Sequence, residues 1–344
     1  NFEDARARQR LVLGLMVRHE YRTAEEADAI FAEEIALAGD PGAPPVQAPH
    51  FVQYLVDTID GQYGAGFTRR AGWNIFTTLD LPMQNLAQET VAAKVAELRP
   101  TYDLGNAALV AMKPHSGEIL AMVGSADFDD ESIAGQVNVA VSPRQPGSAI
   151  KPVLYAAALD QEAISPATVI WDTRVEYETD AGGGETERYD PKNYDEKYHG
   201  PVTVRAALAN SYNVPAVKLL DSFGVETMLS QAEAMGIRTL TRGTDWYGLS
   251  LTLGGGELTL LDLTTAFHTL ASAGRYQPAM PIRLISDNLG QRVEIEQAAE
   301  PVQAMSPQSA FQITDILSDN DARTPAFGAN SPLVLSRPAA VKTG

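Results

Sequence analysis

The sequence predicts an α+β fold in which an antiparallel sheet is flanked by helices. Three observations carry that expectation. Met83, Leu86, Thr90, Val91, Val95 and Leu98 recur at helical spacing along one face, and the helix they trace should stop at Pro100. Two apolar runs follow, 107–112 and 119–123, on either side of Lys113-Pro114-His115-Ser116-Gly117-Glu118, which is the pattern of a β-hairpin. Beyond them the chain reads as helices joined by polar loops, with helical stretches at 147–159, 203–209, 215–223 and 258–273, until Ala339-Ala340-Val341-Lys342-Thr343 reads as a strand.

Upstream of this body the pattern is helical. Leu11, Val12, Leu15 and Met16 fall at helical spacing, and Thr23-Ala24-Glu25-Glu26 is a capping box that opens a second amphipathic helix through Ile30, Phe31 and Ile35. The run Gly-Asp-Pro-Gly-Ala-Pro-Pro at 39–45 cannot hold a helix and reads as a linker and first boundary. A short helix bearing Phe51, Tyr54 and Leu55 then leads to β-type residues at 73–78. The charged stretch 180–198, with Gly182-Gly183-Gly184, reads as a surface loop.

A chain of 344 residues can bury a large core, so one main domain with smaller pieces is expected. The net charge of −18, with no run among the 26 basic residues, excludes a nucleic-acid partner, because phosphate binding needs clustered Lys and Arg. The lack of cysteine excludes disulfides, thiolate zinc sites and a thiol nucleophile. His19, His50, His115, His199 and His268 never pair at ligand spacing, so no metal and no cofactor is expected, and these residues are assigned to surface or core. The most apolar run, 11–17, is interrupted by Gly14 and is far short of a membrane span. The sequence starts at Asn1 and ends at Gly344 within a motif, and it reads as a fragment.

The chemistry centres on Ser148-Ala149-Ile150-Lys151. A serine hydroxyl is a weak nucleophile at neutral pH and needs a base within reach. Positions i and i+3 of a helix share a face, so Lys151 would lie toward Ser148. Gly147 gives the turn into that helix and Pro152 is tolerated near its start, which puts Ser148 at the helix N-terminus, where negative charge on an attacked carbonyl is stabilised. A lysine near its ordinary pKa of about 10.4 is no base at pH 7, so burial and a second cation must lower it. Lys342, in Lys342-Thr343-Gly344, can supply that cation, and Gly344 leaves room for a substrate backbone. Ser211-Tyr212-Asn213 adds a hydroxyl to relay a proton and an amide to fix a peptide.

Four longer stretches carry a resemblance. Residues 144–152 (RQPGSAIKP), 191–195 (PKNYD), 200–208 (GPVTVRAAL) and 211–217 (SYNVPAV) closely resemble class A penicillin-binding proteins, the bifunctional glycosyltransferase/transpeptidases. Similarity continues through 48–52, 77–80 and 337–344 and so covers nearly the whole chain. The resemblance implies a penicillin-binding-protein/β-lactamase-like fold whose last strands are missing, with the nucleophile at a helix start and K-T-G on the neighbouring edge strand. It implies that Ser148 is acylated, that Lys151 is its general base, and that Ser211 and Lys342 pass a proton to the leaving D-alanine. Asn213 would hold the donor peptide, Thr343 its terminal carboxylate with Gly344 beside it, and the Ser148 N–H would form half of an oxyanion hole whose other half lies beyond Gly344.

By the same resemblance, residues 1–38 are the tail of a glycosyltransferase domain, 39–104 a linker region, and 105–344 the transpeptidase domain. The implied partners are peptidoglycan stem peptides, a D-Ala-D-Ala donor and an amine acceptor, together with β-lactams. The place of action would be extracytoplasmic, through an upstream membrane anchor that this sequence does not contain. Two rival readings are a D,D-carboxypeptidase or β-lactamase-type hydrolase on the same fold, and a non-catalytic penicillin-recognising module. Tyr212 stands where a class A β-lactamase has Asp, which argues against that enzyme.

Other features receive plain readings. Gly254-Gly255-Gly256 lacks the Lys-Ser/Thr of a phosphate loop and reads as a tight turn before the helix at Leu258. Trp171, Trp246 and Tyr247 read as packing residues. Asp127, Asp129, Asp130 and Glu131 read as a solvated loop, since they lack the ligand ladder and glycine of a calcium site.

Overall fold

The computed structural model describes residues 2–33, 46–182, 185–294 and 300–344, and the chain forms two compact units, residues 1–47 and 48–344. In the first, α1 (Phe2–Arg18) precedes α2 (Ala24–Ala32). The capping box is present: Glu26 N–H donates to Thr23 Oγ1 at 3.2 Å, and Thr23 N–H donates to Glu26 Oε2 at 2.9 Å. Arg6 and Arg10 both stack on the Phe31 ring. Leu11, Val12 and Leu15 are exposed in this unit, and among the described residues only Leu13 of α1 and Ala27 of α2 are buried. The expected Ile35 and the 39–45 linker lie outside the described residues.

The second unit opens with α3 (Pro49–Tyr63), α4 (Thr68–Ala71), β1 (Asn74–Thr77) and α5 (Leu81–Tyr102). Helix α5 runs past Pro100, contrary to the expected stop. A proline removes one hydrogen bond and crowds the preceding turn, but so close to the end it leaves little helix to break. The end comes at Asp103, left-handed at φ 52°, whose N–H donates to Arg99 O. The buried face also differs from expectation. Gln84, Ala87, Val91 and Val95 face inward, whereas Met83 and Leu86 are exposed. The reason lies in the hairpin of β2 (Leu109–Met112) and β3 (Ile119–Val123), which pair antiparallel as expected. Met122 on β3 needs partners for its backbone, and Gln84 supplies both, donating to Met122 O at 3.1 Å and accepting from Met122 N–H at 2.8 Å.

After three 3₁₀ turns comes α6 (Lys151–Asp160), in which every residue from Lys151 to Leu159 is buried. A helix that is apolar all round sits inside the protein. Around α6 lie β4 (Val169–Asp172), β5 (Tyr177–Gly182), β6 (Glu185–Tyr189), β7 (Gly200–Thr203), α7 (Val204–Ala209), α8 (Asn213–Phe223), α9 (Val225–Ala234), α10 (Thr244–Tyr247), α11 (Leu260–Ala271), β8 (Arg275–Tyr276), β9 (Ile282–Ser286), β10 (Val302–Gln303), α12 (Pro307–Ser318) and α13 (Asn320–Phe327). Helices α7, α8, α9 and α12 pack directly on α6, and Leu154, Leu208, Leu220, Met228 and Ile316 are fully buried among them. Each such side chain contributes about 1.5–3 kcal/mol through burial.

The α+β class holds, but the strands pair two by two. Among the described residues they form five antiparallel ladders, β1 with β9, β2 with β3, β4 with β7, β5 with β6, and β8 with β10. The stretch read as a surface loop at 180–198 begins inside the β5–β6 hairpin, and Gly183 and Gly184 lie outside the described residues. Residues 339–344 form no strand. A strand needs a neighbour to complete its ladder, and here the Val341 N–H donates to Leu317 O at the end of α12. Trp171 and Trp246 are exposed rather than packed, and only Tyr247 is buried. Among the described residues no helix is long and apolar enough to cross a membrane.

Candidate active site

Ser148 sits on a 3₁₀ turn, Gly147–Ile150, that runs into α6, so the α-helix itself begins at Lys151. This refines the expected position at a helix start. In a 3₁₀ turn, side chains three apart eclipse one another, so the turn aligns Ser148 with Lys151 more closely than an α-helix would. Gly147 is left-handed at φ 56°, and it is held between two other glycines. A Cβ on Gly254 would fall 2.6 Å from Gly147 Cα, and a Cβ on Gly147 would fall 3.1 Å from the Gly344 carbonyl carbon. The turn before α11 and the K-T-G segment thus both press on the serine's own turn. Leu258 adds a two-way backbone bridge to Arg144, with both hydrogen bonds at 2.9 Å, and α11 starts two residues later than expected.

Ser211 owes its position to the end of α7. Its N–H donates to Leu208 O and the Tyr212 N–H to Ala207 O, which is the Schellman ending of a helix. The left-handed position in that motif normally belongs to glycine, yet Ser211 occupies it at φ 59°. Asn213 then begins α8. The result is a hydroxyl and an amide on one sharp corner.

Both lysines converge on that corner. Lys151, with no exposed surface, donates from Nζ to Asn213 Oδ1 at 2.7 Å, to Ser211 O at 2.7 Å and to Tyr212 O at 3.2 Å. Lys342 donates to Ser211 Oγ at 2.8 Å and to Thr343 O at 2.6 Å. Burial, with the Lys342 charge as a second cause, pushes Lys151 well below its ordinary value. Burial also brings Lys342 down to about 7. The Ser148 hydroxyl makes no hydrogen bond among the described residues, so the base expected beside it is engaged with the S-x-N corner instead. Such contacts commonly form only with substrate in place. Gly344 lies against the serine turn, where a Cβ on it would be 2.9 Å from Pro146 O and 3.5 Å from Ala149 Cβ. The serine turn, the S-x-N corner and the K-T-G segment, which carry Ser148, Lys151, Ser211, Asn213, Lys342, Thr343 and Gly344, are therefore brought together.

Residues 107–344 match the family described as penicillin binding protein transpeptidase domain. The chain belongs to the penicillin-binding protein transpeptidase family. It is similar to penicillin-binding protein 1B of Vibrio cholerae, 30% identical over 316 residues, which is 91% of this chain and 39% of that protein. It spans less than half the length of the first curated relatives it matches. The crystal structure of penicillin-binding protein 1A from Haemophilus influenzae shares the fold, with a TM-score of 0.65 at 19% identity, over 94% of this chain and 64% of that one. So does PonA1 of Mycobacterium tuberculosis in complex with penicillin V, with a TM-score of 0.64 at 19% identity, over 79% and 70% of the two chains. The likeness to these two structures is one of fold. Three polar residues beside the site escaped the sequence reading, which took His199 as surface or satisfied core and gave Asp172 and Asn193 no role. Asp172 and Asn193 are almost wholly buried behind the S-x-N corner, and His199 stacks on Tyr212. A buried Asp among apolar residues at the end of a strand was the available signal.

Proposed function

We propose that the chain is the D,D-transpeptidase part of a class A penicillin-binding protein, crosslinking peptidoglycan stem peptides through an ester on Ser148. What supports this most is the pair of amines, one fully buried and one partly buried, reaching one corner from segments far apart in sequence, the latter with a pKa brought to about 7. In this reading Ser148 Oγ attacks the penultimate D-Ala carbonyl of the donor and its proton passes to Lys151, whose charged form burial and the Lys342 charge disfavour. The oxyanion is held by the Ser148 N–H. As the C–N bond breaks, Lys342 gives a proton through Ser211 to the departing D-alanine. Asn213 holds the donor backbone, and Thr343 and Gly344 receive its terminal carboxylate. An amine of a second stem peptide then attacks the ester, its proton passing through Ser211 back to Lys342 while Lys151 returns a proton to Ser148 Oγ, so that the crosslink forms and the serine is freed.

A β-lactam enters the same sequence and stops at the ester, since its ring-opened product blocks the second step. The domain division in this reading places a glycosyltransferase tail at 1–38, a linker region at 39–104 and the transpeptidase at 105–344, on an extracytoplasmic protein anchored in the membrane upstream. The test is labelling of the full-length protein by a fluorescent penicillin, followed by product analysis with a D-Ala-D-Ala donor and an amine acceptor. The expected results are one label per chain, lost in Ser148→Ala, and a new amide product. Hydrolysis alone would favour a carboxypeptidase or β-lactamase, and no label would favour a non-catalytic module.

A further inference from the structure

Asp172 and Asn193, both buried, and the partly exposed His199 form a polar network behind the S-x-N corner. Strands β4 and β7 pair so that Asp172 lies opposite Gly200, which brings His199 beside it. The Asp172 side chain is fully buried, and a single oxygen, Oδ2, accepts three hydrogen bonds: from Asn193 Nδ2 at 2.8 Å, from the His199 backbone N–H at 3.0 Å and from His199 Nδ1 at 2.6 Å. Its other oxygen is buried without a partner. An unsatisfied buried oxygen is destabilising by itself, so packing alone does not account for a carboxylate here.

Asn193 carries the network to the active site. Its Oδ1 accepts from the N–H groups of Asn213 at 2.8 Å and Val214 at 3.2 Å, the first two donors of α8. Helix starts leave such donors open, and Tyr212 at the cap position offers no side-chain acceptor. Pro215 follows and has no N–H to satisfy. A residue 20 positions upstream thus caps α8, and Lys192 O accepts from Asn213 Nδ2 at 2.8 Å. On the other side, His199 stacks on the Tyr212 ring at 4.0 Å between centroids and 14° between planes. Asn213 is fixed through backbone and side chain together, and its Oδ1 is the atom that holds Lys151 at 2.7 Å.

We infer that Asp172 and Asn193 are positioning residues for acylation: they orient Asn213 so that its Oδ1 fixes where the Lys151 amine sits in the site. The inference rests on the transpeptidase reading and adds to it a second rank of residues that never touch substrate. The Asp172–Asn193 contact is a carboxylate accepting from an amide whose Nδ2 also donates to Lys197 O at 2.7 Å, so a carboxylate at 193 would face two acceptors and break it.

The experiment measures acylation of the full-length protein by a fluorescent penicillin at rising concentration, which separates the binding constant from the limiting rate, and also records the fraction of chains labelled. Asn193→Asp is expected to slow the limiting rate about 100-fold, the scale of a misplaced catalytic group. The binding constant and the fraction labelled should stay near those of the unmodified protein. The conservative Asp172→Asn keeps an oxygen where Asn193 Nδ2 and the two His199 donors meet, so it should slow the limiting rate by no more than about tenfold. The inference is overturned if Asn193→Asp acylates at the unmodified rate, if its loss lies wholly in the fraction labelled, or if Asp172→Asn labels fully but is slowed as much as Asn193→Asp. Failure of the unmodified protein to label at Ser148 would instead bring down the transpeptidase reading, and this inference with it.

Discussion

Lys342 and Ser211, 131 residues apart in sequence, are joined by a hydrogen bond of 2.8 Å from Nζ to Oγ. That bond ties the K-T-G segment to the S-x-N corner, and it puts an amine titrating near pH 7 on the hydroxyl proposed to serve the leaving group.

The first prediction concerns pH. Lys342 gives a proton only while it holds one, so acylation should fall as pH rises through about 7. At lower pH it should also fall as Lys151 takes up a proton, which makes the profile bell-shaped with values belonging to the pair. Arginine keeps its proton throughout this range. Lys342→Arg should therefore lose the alkaline limb near 7 when penicillin acylation rates are followed from pH 5 to 10. A limb unchanged in the variant would remove Lys342 from the relay.

A second prediction separates strain from chemistry at Ser211. Its φ of 59° is costly for any residue with a Cβ and costs glycine nothing. Ser211→Ala and Ser211→Gly both delete the hydroxyl, so both should slow acylation alike. In denaturant melts the glycine variant should nonetheless be the more stable of the two by about 1 kcal/mol. Equal stability, or an advantage for alanine, would contradict the left-handed corner.

Gly254 supports the third. It has φ 93°, and a Cβ there would meet Gly147 N, Cα and O, which are backbone and cannot swing aside. Gly290 has a similar φ of 79° with nothing within 4 Å of its would-be Cβ. Both Gly254→Ala and Gly290→Ala should cost about 1–3 kcal/mol for backbone strain alone. Only Gly254→Ala should also displace the serine turn, so only it should lose penicillin labelling under conditions where both proteins remain folded.

Residues whose chemistry demands a fixed type at fixed spacing were legible in the sequence. Ser148 and Lys151 lie one turn apart, Ser211 and Asn213 share a corner, and Lys151 and Lys342 both reach that corner through tertiary folding. The hairpin at 109–123 was legible because two apolar runs flank a polar turn. Interactions fixed by three-dimensional neighbours were not. Gln84 is buried because Met122 has open backbone groups, and no periodicity announces that a polar residue will serve a strand. Asn193 caps a helix 20 residues away, outside the local pattern by which caps are recognised. The K-T-G segment has strand-like residues, but a ladder depends on its neighbour as much as on propensity.

The last prediction concerns acid stability. His50 is almost wholly buried, and because a carbonyl only accepts, its Nε2 donates to Gly135 O at 2.8 Å. Burial lowers its pKa below 6.5 despite that bond. His268 is also lowered by burial, with the neighbouring His115 charge second. For a group depressed in the folded state, the unfolded chain takes up the proton first as pH falls. The stability these residues contribute is therefore complete above about 6.5 and drains away below it, through their folded values. Glutamine can donate to Gly135 O from its amide and does not titrate. Urea midpoints measured at pH 7.5 and 5.0 should accordingly differ less for His50→Gln than for the unmodified protein, and less again when His268 is replaced by Gln as well. An undiminished difference would mean that carboxylates carry the acid sensitivity and that these two imidazoles do not.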